Sequence, residues 1–243
     1  MRIEDIRIVL VRPQGQMNIG SVARAMKNVG LKELALVAPA VSPIHPDARL
    51  MAAGAHDILE NVLIFLRLAD ALADCTWVIG TTRRKGKRRE GVIDPRQMAT
   101  EIAEIIQQNK VAVVFGPEDR GLTNRDLDLC QRLVTIPSIE DYGSLNLAQA
   151  VMIICYEVYL AGWSHKGLST GKKLATSAEL EEMYRHMEEA LLHIGFLEQN
   201  NPKRMMTALR RIFSRAQLDP REVRVLRGIC RQASRFAELR AIE

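Results

Sequence analysis

Over the first two thirds of the chain, short unbroken apolar runs alternate with stretches whose apolar positions recur every three or four residues. Ile6 to Val11, bounded by Pro13 and Gly15, reads as a strand buried on both faces of a parallel sheet. Leu34–Val37, Val62–Phe65, Trp77–Gly80, Val111–Phe115 and Leu133–Ile136 read as further strands, of which Val111–Phe115 carries the strongest pattern. Ile19, Val22, Ala23, Met26 and Val29 share one helical face, with Asn18 placed as the N-cap and Gly30 closing the end. Pro46–Ala53 and Pro95–Gln108 predict further helices, and Leu145–Ala161 a long apolar one with Ser144 as its N-cap. Strands alternating with helices place this region in the α/β class, on a mostly parallel sheet.

From Gly162 to Thr176 the periodicity lapses and Gly, Ser, Thr and Lys accumulate, the composition of a linker. Beyond it the pattern is helical throughout. Leu180, Met183, Tyr184, Met187 and Leu191 form one stripe, Met205, Leu209, Ile212, Phe213 and Ala216 a second, and Val223, Leu226, Cys230, Ala233 and Ala237 a third. The expected organisation is therefore an α/β domain over residues 1–162, a linker over 163–176 and a small helical extension over 177–243.

With 47% hydrophobic and 26% charged residues the composition is that of an ordinary globular protein. Arg2, Glu4, Asp5 and Arg7 interrupt the amino-terminal apolar residues, which predicts neither a signal peptide nor a membrane span and a cytoplasmic location. Cys75, Cys130, Cys155 and Cys230 lie far apart without a CxxC pair, so neither a zinc site nor a disulfide framework is indicated. Charge changes the picture once it is divided along the chain. Residues 1–165 hold 19 cations and 19 acids, whereas residues 166–243 hold 15 and 10, so the net charge of +5 falls in the extension. A basic module beside a neutral one implies a polyanionic partner.

Candidate chemistry sits where strands hand over to helices, the usual ligand side of an open α/β sheet. No GxGxxG follows a strand, Gly167–Lys172 has the wrong spacing and no preceding strand for a phosphate loop, and no GxSxG elbow exists. Three turn segments remain: Asn18-Ile19-Gly20-Ser21-Val22-Ala23-Arg24, Phe115-Gly116-Pro117-Glu118-Asp119-Arg120-Gly121-Leu122, and Ile136-Pro137 with Gly143-Ser144-Leu145-Asn146-Leu147-Ala148. In this order they resemble the three motifs of the SpoU (TrmH-like) branch of the SPOUT methyltransferases, and the basic helical extension brings the likeness nearest to TrmJ-type tRNA 2′-O-methyltransferases.

The resemblance implies an α/β fold with a carboxyl-terminal trefoil knot, a homodimer, S-adenosyl-L-methionine as methyl donor and no metal. It implies ribose 2′-O-methylation of RNA, with tRNA ahead of rRNA as substrate and an anticodon-loop cytidine or uridine as target. Arg24 takes the place of the arginine that acts on the 2′-hydroxyl. A guanidinium, with a pKa above about 12, is a poor base, so stabilisation of the developing alkoxide suits it better. Asn18, Glu118, Ser144 and Asn146 complete the implied catalytic set, with Glu118 anchoring the arginine or the RNA. Thr81, Thr82, Arg83, Gly116, Ile136, Gly143, Ser144 and Leu145 are the implied cofactor contacts, Gly116 allowing close backbone approach.

Two basic features point to RNA. Arg83 to Arg89 contains six cations in seven residues, which marks Arg84, Lys85, Lys87, Arg88 and Arg89 as phosphate contacts. Near the carboxyl terminus Arg224, Arg227, Arg231 and Arg235 recur on one helical face. Aromatic residues are few, which favours recognition of a folded RNA by shape. The alternatives are an rRNA 2′-O-methyltransferase, a catalytically silent RNA-binding regulator of the same fold, and a Rossmann-type small-molecule methyltransferase, against which the absent glycine fingerprint counts.

Overall fold

The computed structural model describes residues 3–83, 91–139, 143–164, 172–198 and 201–240, and the chain divides into two compact units, residues 1–172 and 173–243. In the first, β1 (Ile6–Val11), β2 (Glu33–Val37), β3 (Leu63–Phe65), β4 (Trp77–Thr81), β5 (Val111–Phe115) and β6 (Arg132–Val134) form one sheet. Its order is β3-β2-β1-β5-β4-β6 and every pairing is parallel. Ile8 lies in register with Leu34 on one side and Val113 on the other, and all three are buried. Strands this apolar need cover on both faces.

Among the described residues seven α-helices accompany the sheet: α1 (Gln16–Asn28), α2 (Pro46–Ala52), α3 (His56–Glu60), α4 (Leu68–Leu72), α5 (Pro95–Ile105), α6 (Asn124–Leu127) and α7 (Leu147–Ser164). On one face Val9, Val37, Val78 and Val114 pack with Leu68, Ala71 and Leu72 of α4. The alternate strand residues point the other way. Helix α1 packs against α2 and α7, and α7 against α5. The approach of α1 to α2 requires Gly20, because a Cβ there would stand 2.1 Å from the Ala48 carbonyl oxygen. Gly30, at φ +82°, ends α1 in a Schellman turn whose bonds run from the Leu31 amide to the Met26 carbonyl and from the Gly30 amide to the Lys27 carbonyl.

Several helix limits differ from the sequence reading, α7 for one running on to Ser164 where Ala161 is expected. Helix α1 starts two residues before Asn18, with Gly15 at the N-cap and no side-chain cap, which leaves the Asn18 amide free for longer-range bonds. Helix α7 starts at Leu147, not Leu145. Its cap is Asn146, whose Oδ1 accepts from the Ala148 amide at 2.9 Å while Gln149 Oε1 accepts from the Asn146 amide at 3.2 Å. Helix α5 ends at Ile105, and its C-terminal carbonyl accepts from the buried Asn109 side chain. Tyr156 and Leu160 remain exposed on α7, so the helix is more apolar than its own unit can cover.

At the amino ends of the strands, Arg7 is buried in a charge cluster. Its guanidinium donates to Glu33, to Asp74 at 2.6 Å and to the Ala71 carbonyl, and Lys110 Nζ lies 2.9 Å from both acids. Burial acts to raise the Asp74 pKa, but the bonds from Arg7 and Lys110 prevail and bring it down to about 2. Beside them burial pushes the Cys75 thiol up to about 12, so it remains a protonated core residue.

The second unit consists of α8 (Ser177–His193), α9 (Pro202–Ala216) and α10 (Pro220–Arg240). Leu180, Met183, Tyr184 and Met187 of α8 pack with Met206 of α9 and with Val223 and Cys230 of α10. Arg210 covers the Tyr184 ring at 4.3 Å and pairs with Glu181, and Arg227 pairs with Glu182 at 2.7 Å. The acids of α8 thus join it to both neighbours.

Candidate active site

The carboxyl ends of β4, β5 and β6 open into a cavity of about 230 Å³. Thr81 ends β4, Phe115 ends β5 and Val134 ends β6, and the turns after these strands form the walls. Thr81, Thr82, Arg83, Gly116, Ile136, Gly143, Ser144 and Leu145 all line it, together with Glu118. Sequence separations of more than sixty residues are closed here by the parallel pairing of β4 with both β5 and β6.

Backbone geometry fixes each wall. Thr81 Oγ1 donates to the Val114 carbonyl at 3.0 Å, and the Thr82 amide donates to the Val134 carbonyl at 2.9 Å, so these residues are held by neighbouring strands. Gly116 is required by its own loop. A Cβ there would lie 2.2 Å from the Leu122 nitrogen, and Gly121 completes the bend at φ +67°. The sequence reading assigned Gly116 to cofactor approach; the closer contact is internal, and any side chain would first distort the turn. Gly143 faces Ser138, whose hydroxyl donates to its carbonyl at 3.2 Å, and a Cβ on Gly143 would come within 3.5 Å of Arg83 Cδ.

Beside the cavity the three turns are joined by one hydrogen-bonded chain. Glu118 accepts from the Gln14 amide at 3.1 Å, the Gly15 amide at 3.2 Å and Asn18 Nδ2 at 2.8 Å. Asn18 Oδ1 accepts in turn from Asn146 Nδ2 at 2.9 Å, and Asn146 caps α7. Each amide is thereby oriented: Asn18 gives its NH2 to the carboxylate and its oxygen to Asn146. A second link closes nearby. Arg12, in the left-handed region at φ +51°, reaches Asp126 at 2.6 Å, and Asp126 also accepts from the Thr123 amide and hydroxyl. Burial opposes ionisation of Asp126, yet the bonds from Arg12 and Thr123 hold its pKa below the ordinary value.

Arg24 stands apart from this chain. It projects from the third turn of α1, exposed, with no hydrogen bond or ion pair among the described residues, and it does not line the cavity. Glu118 is committed to Gln14, Gly15 and Asn18 and makes no bond to Arg24. Ser144 is exposed at the cavity wall and does not cap α7. Arg84, Lys85, Lys87, Arg88 and Arg89 lie outside the described residues. On α10, Arg224, Arg231 and Arg235 are exposed, whereas Arg227 is held by Glu182 and by His186 Nδ1 at 3.2 Å. Gln14, Gly15, Gln149 and the Arg12–Asp126 pair escaped the sequence reading: two act through backbone amides, and the pair spans 114 residues.

The cavity suits a flat, partly apolar, zwitterionic ligand. Ile136, Leu145 and Leu147 offer apolar surface, while Arg83, Asp119 and Arg120 bring charges of both signs to the same space. Among the described residues no group of three or more metal-ligating side chains is assembled, and no helix is long and apolar enough to cross a membrane.

Comparison with known proteins gives matches over both units. Residues 5–156 match the SpoU rRNA Methylase family, and residues 178–241 match the C-terminal domain of the tRNA methyltransferase TrmJ. The tRNA (cytidine/uridine/adenosine-2′-O-)-methyltransferase TrmJ of Pseudomonas aeruginosa is 41% identical, the match covering 97% of this chain and 96% of that protein. The tRNA (cytidine/uridine-2′-O-)-methyltransferase TrmJ of Escherichia coli K12 is 40% identical, covering 93% and 94%. The crystal structure of TrmJ from Z. mobilis ZM4 superposes with a TM-score of 0.81 at 36% identity, covering 93% of this chain and 97% of that one.

Proposed function

The chain belongs to the SpoU methylase family and carries the C-terminal domain of its TrmJ members, and from that premise we propose that it is an S-adenosylmethionine-dependent tRNA ribose 2′-O-methyltransferase. The observation that carries this reading is the convergence of the second and third turn segments on one cavity, with the first tied to them beside it through Glu118, Asn18 and Asn146. The match over residues 178–241 favours tRNA over the rRNA named in the family's own description.

S-Adenosylmethionine supplies a methyl group already activated on a sulfonium, so the chemistry needs no metal. Ile136, Leu145 and Leu147 would hold its adenosyl part, with Thr81, Thr82, Gly143 and Ser144 lining the remainder and Arg83 at the rim. The protein's own task is to orient a ribose 2′-hydroxyl and stabilise the oxyanion as its proton leaves. Arg24 is the group we assign to that task, because it is cationic, exposed and free of other partners among the described residues. RNA phosphate or solvent takes the proton. The Glu118–Asn18–Asn146 chain holds the start of α1, and hence Arg24, in fixed relation to the cavity wall.

Arg24 does not line the cavity of its own chain, and α7 leaves Tyr156 and Leu160 uncovered. Both features support a homodimer in which α7 is covered by a second copy and Arg24 serves a shared site. We assign the target to an anticodon-loop cytidine or uridine. The basic segment after Arg83 and the positive second unit serve RNA docking. Nucleoside mass spectrometry of unmodified tRNA incubated with the protein and S-adenosylmethionine tests the reading. A 2′-O-methylated pyrimidine nucleoside is the expected product; methylation confined to bases, or none, overturns it.

A further inference from the structure

Residues 116–122 form one wall of the cavity, and the stretch that leads from β1 into α1 fastens this wall at two points. At the first, Glu118 accepts from the Gln14 and Gly15 amides and from Asn18, and the bonds run on through Asn18 to Asn146. At the second, Arg12 Nη2 donates to Asp126 at 2.6 Å, four residues past Leu122. Arg12 precedes α1, so this fastening serves the wall without passing through the helix that carries Arg24.

The fold does not by itself call for a guanidinium at position 12. β1 and β2 end alike: Arg12 at φ +51° and Ala38 at φ +44° both take left-handed backbone, and their amides donate at 2.8 Å to the Val37 and Phe65 carbonyls of the next strand. Alanine suffices for that task after β2. After β1 the same conformation, which disfavours any residue with a Cβ, aims an arginine across 114 residues of chain at Asp126. Asp126 is buried, and its Oδ2 alone accepts from Arg12, from the Thr123 amide at 2.9 Å and from the Thr123 hydroxyl at 2.7 Å. Thr123 and Asp126 close the capping box of α6, a helix of four residues that cannot persist on its own. Immediately before the box, Leu122 packs in the same core cluster as Val11, which immediately precedes Arg12. The Leu122 nitrogen is also the atom that a Cβ on Gly116 would meet first, at 2.2 Å. A shift of the box is therefore passed through Leu122 to the Gly116 backbone at the cavity.

Resting on the methyltransferase reading above, we propose that Arg12 and Asp126 are positioning residues for the cofactor, a clasp that holds the 116–122 wall in its binding form while Glu118 serves the chemical step. The test uses full-length Arg12→Gln, Asp126→Asn and the double variant, with S-adenosylhomocysteine affinity read by calorimetry, tRNA affinity by anisotropy and folding by circular dichroism and denaturation midpoint. If loss of the clasp leaves the wall in its binding form about a tenth of the time, the apparent Kd for S-adenosylhomocysteine rises about tenfold in each single variant. The double variant is expected to be no worse than either single one, because both substitutions remove the same interaction. In steady-state methylation the KM for S-adenosylmethionine rises in step, while kcat at saturating cofactor stays within about twofold and tRNA affinity is unchanged. Arg12→Lys keeps the charge behind a single bond and should hold the cofactor within about threefold of the parent. Asp126→Asn retains an oxygen for Thr123 and carries the test alone should Arg12→Gln not fold. Parental S-adenosylhomocysteine affinity in a folded single variant overturns the inference, as do additive losses in the double variant and a loss confined to kcat or to tRNA binding. If the parent binds S-adenosylhomocysteine and methylates tRNA while the variants match it, only this assignment fails; if the parent binds no S-adenosylhomocysteine, the functional reading falls with it.

Discussion

At the amino ends of the parallel strands Arg7, Glu33, Asp74 and Lys110 neutralise one another in a closed cluster, whereas at the carboxyl ends Arg24 has no partner among the described residues and Ser144 is exposed. Both regions are polar, and both are reached from the same strands. They differ in where the bonds terminate. The amino-end charges end on one another, so their energy is available to stability. The carboxyl-end bonds from Glu118 through Asn18 to Asn146 end on backbone and on a helix cap, and they fix the frame beside which the proposed function places Arg24. The amino ends of the strands thus serve folding and the carboxyl ends carry the proposed function, and that separation can be attacked from each side.

The largest expected effect is on stability. Arg7→Ala removes the partner of two acids at a buried position, and breaking such a pair costs about 3–5 kcal/mol. A large fall in denaturation midpoint with unaltered turnover per folded molecule is expected; a turnover defect at full stability would erase the division between the two ends. Next, Arg24→Ala should lower kcat by about 100- to 1000-fold, the usual loss when one stabilising donor is removed from a developing oxyanion, with midpoint and cofactor affinity unchanged. Radiolabelled-methyl kinetics together with calorimetry separate these terms. Asn18→Ala breaks the frame without touching the cation, leaving Glu118 and Asn146 each short of one bond. A transition-state loss of about 1–3 kcal/mol is expected, smaller than that of Arg24→Ala. If Asn18→Ala turns over as the parent does, the chain does not position Arg24.

The smallest effect is on pH dependence. The pKa of Asp74 is depressed to about 2 in the folded protein from an ordinary 3.8, so its contribution is present above pH 4 and is lost as pH falls toward 2. Asp74 is half exposed, which screens the effect to well under the full shift, on the order of 1 kcal/mol or less. Chemical denaturation between pH 5 and pH 2 should show this loss, and Asp74→Asn should flatten it; a parallel decline in both proteins would remove Asp74 from the account.

The sheet and the location of the site were legible because unbroken apolar runs and glycine turns are local signals. Helices α3, α4 and α6 were missed because four or five residues are too short to show a period. Asn18 and Ser144 were read as caps on residue type alone. The structure gives those positions to Gly15 and Asn146, because the Glu118 carboxylate, 103 residues away, already meets the Gly15 amide. The Arg7 cluster was invisible for the same reason, its partners lying 26 and 67 residues along the chain. Arg227 looked like a member of an exposed face, and only the packing of α10 on α8 reveals that Glu182 consumes it.

The central claim, that the carboxyl-end frame presents Arg24 to a tRNA ribose, is tested most directly by where the methyl group goes. A 2′-O-methyl group blocks alkaline cleavage of the adjacent phosphodiester. Unmodified tRNA is incubated with a radiolabelled methyl donor, then hydrolysed in alkali, for the parent and for Arg24→Ala at matched folded concentration. The account predicts label in alkali-resistant dinucleotides from the parent and almost none from Arg24→Ala. Label in mononucleotides, or equal dinucleotide label from the two proteins, would contradict it.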